Sequence, residues 1–218
     1  MNRRPSLLAT AALGAATALL LTGCGGGDGD STGNDKIAGA DTGSETSASP
    51  SASATGSASR PKIELPSDLT YTFDWSKTGD EAKDAVLADS EQSIKAVDLA
   101  IANQDALDKA YLFYYEGEAA AGTQEFVQNY VDNKARTTGA YRFYDPVVAV
   151  DDDGTASLSY CEDQGKAFVK YLETNKIKKT EVTAKSYVIY HTSLKKNEQG
   201  VWVIQKIVSQ SGSAKCQP

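Results

Sequence analysis

Between residues 25 and 66 the chain is dominated by Gly, Ser, Thr, Ala and Asp, with Pro50, Pro61 and Pro66 spaced through it. So few apolar side chains cannot bury enough surface to offset the entropy of ordering the backbone. Any folded core therefore has to come from residues 67–218, which is one domain's worth of chain. Residues 24–66 read as a tether with a root-mean-square reach of roughly 35 Å.

Upstream of the tether, Arg3 and Arg4 precede an apolar run from Leu7 to Leu21, and small Thr22 and Gly23 precede Cys24. The run is about 15 residues, short of the roughly 20 that span a bilayer as a helix. Residues 1–23 are thus expected to be a secretory signal peptide. A retained transmembrane anchor is the alternative, and the paired arginines also allow twin-arginine export. Leu21, Thr22, Gly23 and Cys24 resemble the lipobox of bacterial lipoproteins. That resemblance implies cleavage before Cys24, thioether lipidation of its sulfur, and a place on the extracytoplasmic face of the cell membrane. Acyl chains would do the anchoring, since each buried methylene contributes about 0.8 kcal/mol.

Charge narrows the partners. The chain has 22 basic and 29 acidic residues, net −7; without residues 1–23, which hold two arginines and no acid, 20 stand against 29, net −9. An acidic chain lacks the basic face that nucleic acid or an anionic lipid surface requires. With Cys24 acylated, Cys161 and Cys216 remain as an even pair outside the cytoplasm, where a disulfide is expected. Zinc is the rival, but two thiolates and one histidine are thin for a structural site. No metal or cofactor is expected.

Along the domain, Leu69 to Trp75 alternates polar and large residues as a short extended lead-in. Thr78 and Glu81 have capping-box spacing, and Val86, Ser90, Ile94, Val97 and Ile101 recur at helical spacing to about Ala102. Asp105 reads as the N-cap of a second helix ending near Gly117 or Gly122, and Thr123 opens a third to about Arg136. After Gly139 the period changes. Tyr141 to Val150 is a strand with a bulge or an edge position at Asp145 and Pro146, since Pro cannot donate to a ladder. Asp153 and Gly154 turn into a strand from Thr155 to Cys161. Glu162 to Thr180 reads as irregular, and Val182 to Leu194 and Val201 to Ser209 as the last two strands.

Helices first and strands last, closing with Trp202, Val203 and Ile204, resembles the nuclear transport factor 2-like (cystatin-like) fold, and in particular actinobacterial envelope lipoproteins carrying that domain. Three segments bear the likeness: Tyr71 to Leu87 with Phe73, Trp75, Thr78, Gly79 and Asp80; Gly139 to Asp163 with Tyr160, Cys161, Glu162 and Asp163; and Trp202 to Cys216. The resemblance implies an α+β domain of three N-terminal helices packed on a curved antiparallel sheet of four or more strands, often enclosing an apolar cone. It implies little about activity, because one fold hosts many chemistries.

Candidate chemistry is sparse. His191 stands between Tyr190 and Thr192 with no nucleophile or acid at a defensible spacing, so a surface or structural role is expected. Asp151, Asp153 and Glu162 faintly mimic a calcium loop, but Ala156 replaces the required glycine and the flanks are strands. Tyr111, Tyr114, Tyr115 and Phe113 crowd one helix. Tyr111, Tyr115, Tyr190 and Trp202 are the candidate pocket lining, because Tyr and Trp bury a ring while keeping a polar tip. The expectation is a lipid-anchored binding or scaffolding domain, with a small apolar ligand or an envelope protein as partner. An isomerase- or dehydratase-like enzyme, or an accessory subunit holding a partner protein at the membrane, is the alternative. A buried acid facing a tyrosine inside a cavity would favour the enzyme.

Overall fold

The computed structural model describes residues 59–218. The expected signal peptide, Cys24 and most of the tether lie outside the described residues. The elements are β1 (Leu69–Phe73), α1 (Glu81–Asn103), α2 (Lys109–Leu112), α3 (Gly117–Asp132), β2 (Ala135–Val150), β3 (Thr155–Tyr171), β4 (Ile177–Lys178), a 3-10 turn (Ala184–Ser186), β5 (Tyr187–Lys196) and β6 (Trp202–Ser211). One sheet runs in the order β1-β2-β3-β5-β6, with β4 paired to β3. The helices pack on one face of it, so the class is α+β, as expected. The sheet is mixed rather than antiparallel: β1 lies parallel to β2, with Tyr71 opposite Tyr141 and Phe73 opposite Phe143. The whole helical segment separates β1 from β2, and a parallel neighbour needs such a crossover.

Capping explains the start of α1, but with Asp80 rather than Thr78. The Asp80 carboxylate accepts from the backbone N–H groups of Ala82 and Lys83 at 2.9 and 3.1 Å. Thr78 instead donates its hydroxyl to Asp84, whose charge favours the helix N-terminus. The second helix is a single turn capped by Asp108, not Asp105. The third starts at Gly117, earlier than Thr123. Its position is set by the sheet, because Glu116 donates its N–H to the Ile204 carbonyl at 3.0 Å and Ile204 donates to Tyr114 at 2.8 Å.

β2 shifts register between Tyr144 and Val147, and Asp145 takes a left-handed φ of 50°. The bulge expected at Asp145 and Pro146 is therefore present, beyond the end of β1, where β2 pairs only with β3. Gly139 has a φ of 100°, and a Cβ there would lie 2.2 Å from the Lys166 carbonyl oxygen, so only glycine fits. β3 continues ten residues past Cys161, where irregular chain was expected. Its polar end, with Lys166 and Lys170, pairs with Ala140 and Arg136 of β2, so the ladder rather than apolar alternation makes it a strand.

Ordered contacts begin upstream of residue 67. Arg60 donates Nε and Nη2 to the two oxygens of Asp89 at 2.7 and 3.0 Å, and Asp89 also accepts the Trp202 backbone N–H at 2.9 Å. Asp89 is only 2% exposed, so this pair fastens the arm to α1 and β6 together. Ile63 packs against the same core.

Successive residues of β3 face opposite sides, as strand pleating requires. Leu158, Tyr160 and Glu162 face the helices. Cys161 faces the back of the sheet and is joined by a disulfide to Cys216, with Ile189, Tyr144 and Tyr187 packed around the bridge. The Tyr144 hydroxyl donates to the Cys216 carbonyl. The bridge closes a 55-residue separation, for which the chain-entropy model gives about 4 kcal/mol. Reduction, or Cys216→Ser, is expected to lower stability by up to that amount in denaturant melts. An unchanged melt after complete reduction would contradict this.

Candidate functional site

A cavity of about 370 Å³ opens between α1, α3 and the helix-facing side of the sheet. Tyr141, Phe143, Tyr160 and Tyr190 in its floor belong to an aromatic ladder that runs across four strands. Phe73 stacks on Phe143 at 4.7 Å between ring centroids, Phe143 meets Tyr160 edge-on at 6.0 Å, and Tyr160 stacks on Tyr190 at 5.1 Å. Tyr71 stacks on Tyr141 at 5.6 Å. Same-face positions of neighbouring strands bring such rings within contact, and each good pair adds about 0.5–1.5 kcal/mol beyond area burial. Ile94 and Val97 of α1 and Phe126 and Tyr130 of α3 supply the walls.

Two acids enter this aromatic space from opposite sides. Asp98 projects from α1; it accepts a hydrogen bond from the Tyr71 hydroxyl and another, at 2.6 Å, from Thr137 Oγ1. Glu162 projects from β3, is 7% exposed, and shares the cavity with Tyr190 of the neighbouring strand β5. Burial holds the Asp98 carboxyl above the usual carboxylate range, with the Thr137 and Tyr71 hydrogen bonds opposing. Burial likewise pushes Glu162 up to about 8, and the charges of Asp98 and Asp163 add to the rise. Burial also raises the phenols of Tyr141, Tyr160 and Tyr190 well above their ordinary value, and Tyr130 to about 12.

Of the expected pocket residues, Tyr115 and Tyr190 line the cavity and the other two do not. Tyr111 is fully buried in the core and donates its hydroxyl to the Ala106 carbonyl at 2.7 Å. Trp202 is also core. Ile207 and Ser209 of the same strand reach the cavity, but Trp202 lies five residues back, about 17 Å along a strand. His191 is exposed on the back face beside Val147, Ser159 and Val208, separated from the cavity by the sheet. Asp151 and Asp153 sit at the β2–β3 hairpin tip, where Asp153 accepts the Thr155 hydroxyl at 2.6 Å. Glu162 lies nine residues further on, about 30 Å along the strand, so these acids do not converge.

Asp98 is not among the expected site residues and Glu162 enters them only as a calcium-loop acid, yet both carry a signal for the cavity. Asp98 falls on the stripe of Ile94 and Ile101, four and three residues away, where an apolar side chain belongs. Glu162 continues the helix-facing series Leu158 and Tyr160. An acid on a buried face is the informative exception to hydrophobic patterning.

No protein-family model and no curated protein matches the sequence. Solved structures that resemble it include the ketosteroid isomerase-like protein from Erwinia carotovora atroseptica, at 14% identity and a TM-score of 0.41 over 62% of this chain and 98% of that one. ActVI-ORFA from Streptomyces coelicolor matches at 10% identity and a TM-score of 0.39, over 59% of this chain and 95% of that one. The association domain of C. elegans CaMKII matches at 16% identity and a TM-score of 0.35, over 61% of this chain and all of that one. At such scores and identities these likenesses carry nothing about activity, ligand or partner.

The raised Glu162 has a consequence for stability. Its carboxyl titrates near 4.5 when unfolded and near 8 when folded, so between those values the folded state holds the extra proton. Stability therefore falls as pH rises from about 4.5 to about 8 and then levels off, and Asp98 acts in the same direction. Glu162→Gln is expected to be more stable than wild type at pH 8, with the two converging toward pH 5, in urea melts at each pH. Parallel profiles would show that Glu162 is not held protonated.

Proposed function

We propose that this is a small-molecule-binding domain whose cavity takes a compact ring-sized ligand, held at the outer face of a membrane by a lipid on Cys24. The observation that carries the binding reading is the convergence of a buried carboxyl, Glu162, and a half-buried one, Asp98, on one aromatic-walled cavity. A structure selected for stability alone would fill such a space with apolar side chains, because burying acids is costly. Clustered, perturbed acids in a concave site mark a place where a ligand is met. The nuclear transport factor 2-like reading of the fold fits a cavity between helices and sheet. The lipid reading rests on Leu21 to Cys24.

A second reading is supported by Glu162 alone. A carboxyl near 8, beside the Tyr190 hydroxyl, is poised to accept and return a proton at neutral pH, as general acid–base catalysis requires. In that reading the domain is an isomerase- or dehydratase-like enzyme, with Glu162 moving the proton and Asp98 or a tyrosine hydroxyl stabilising developing negative charge on oxygen.

Two measurements test the proposal. Small-molecule fragments added to the detergent-solubilised full chain are expected to shift the ring resonances of Tyr115, Tyr141, Tyr160 and Tyr190 but leave His191 unmoved. Fragments that move only back-face residues would overturn the cavity reading. Cys24→Ser is expected to abolish incorporation of labelled fatty acid and to release the protein from the membrane or leave it uncleaved. A labelled, membrane-bound variant would overturn the anchor.

A further inference from the structure

Charge balance in the cavity narrows the class of ligand. Asp98 and Glu162 come from opposite walls, and no Lys, Arg or His side chain lines the space with them. Elsewhere several acids, the buried Asp89 among them, do have cations. Asp89 has Arg60, Asp68 has Arg136 and Lys170, and Asp74 has Arg142. Neither cavity acid has an ion pair. Asp98 meets only the neutral hydroxyls of Tyr71 and Thr137, and Glu162 has the neutral Tyr190 beside it. An ionised carboxylate offers about four acceptor sites, so a single phenol leaves Glu162 with unused capacity. The surrounding surface is aromatic: Tyr115, Phe126, Tyr130, Tyr141, Phe143 and Tyr160 present rings to the same space. Aromatic faces carry negative charge density and attract cations, most strongly where the contact is desolvated.

We infer that the cavity binds an organic cation, a small amine or quaternary ammonium seated against the tyrosine rings, with Glu162 and Asp98 as its counter-ions. This rests on the reading of the cavity as a ligand site and adds the ligand's charge. Without ligand Glu162 avoids desolvation and repulsion from Asp98 by keeping its proton. The groups facing Glu162 are Asp98 of α1, Tyr130 of α3, Tyr141 of β2, Tyr160 on its own strand and Tyr190 of β5, with Asp163 next in the chain. None of these supplies positive charge, so an entering ammonium provides what the site lacks. It favours the ionised carboxylate, and a proton leaves Glu162 as the cation binds. The same surroundings disfavour an anionic ligand, which would add a third negative centre.

The test uses the full chain in detergent with three probes of similar size: benzyltrimethylammonium, benzyl alcohol and phenylacetate. Titration calorimetry at pH 7 in buffers of different ionisation enthalpy is expected to show benzyltrimethylammonium binding at least tenfold tighter than benzyl alcohol, with release of protons. Phenylacetate is expected not to bind. Affinity for the cation should rise from pH 6 to pH 8, because Glu162 is then ionised without having to lose its proton. Glu162→Gln is expected to weaken the cation at least tenfold and abolish proton release, while benzyl alcohol is little changed. Asp98→Asn, which keeps the shape, should weaken it as well. Benzyl alcohol binding as tightly as the cation, or unchanged cation affinity in Glu162→Gln, would overturn the inference and leave the cavity reading standing. If no probe shifts the Tyr141 and Tyr160 rings, both readings fall.

Discussion

Three consecutive residues of β3, Tyr160, Cys161 and Glu162, point alternately to the two faces of the sheet, and the rest of the domain depends on that alternation. On one side Tyr160 continues the aromatic floor and Glu162 brings a carboxyl to it. On the other Cys161 holds the C-terminal tail through Cys216. A slip of one residue would put the acid on the back face and the sulfur among the aromatic rings. The register is therefore secured on every side: by β2, by β5, by the disulfide, and by Gly139, whose missing side chain lets β2 approach the backbone of Lys166.

The helices close the cavity without filling it. Asp98 interrupts the apolar stripe of α1 and is satisfied by Tyr71 and Thr137, from β1 and β2. The parallel strand β1, set beside β2 by the long helical crossover, is what makes that contact available. Arg60 and Asp89 add a second fastening, because removing Arg60 would leave the buried Asp89 carboxylate without its cation. Opposing costs are visible here: the buried Asp89 has its cation in Arg60, whereas the cavity keeps two acids at the expense of stability above their unfolded titration range.

Much of the fold could be read from residue patterns. The Asp145 and Pro146 bulge, the hairpin at Asp153 and Gly154, α1, the last strand and the Cys161–Cys216 pair follow from local chemistry that tertiary context reinforces. What escaped was non-local. β1 becomes a sheet strand only because β2 accepts it, and the polar end of β3 is a strand only through its ladder. The Gly117 start of α3 is set by backbone bonds to β6. The pocket was half legible. Tyr115 and Tyr190 carry the amphipathic character that reaches the cavity, but Tyr111 and Trp202 have the same character and sit in the core. Asp98 stood out no more than any other of twenty-nine acids, and Glu162 suggested only a calcium loop, because an acid's role is not legible until its face is known.

The central claim is that the cavity holds a carboxyl in its protonated form at neutral pH with no basic side chain against it. It is tested most directly by following the Glu162 side-chain carboxyl carbon by NMR in the unliganded, isotopically labelled full chain across pH 4 to 10. The account predicts a midpoint near 8, with the Tyr141 and Tyr190 ring signals moving in the same transition. A midpoint near the ordinary 4.5, with those rings unaffected, would contradict it.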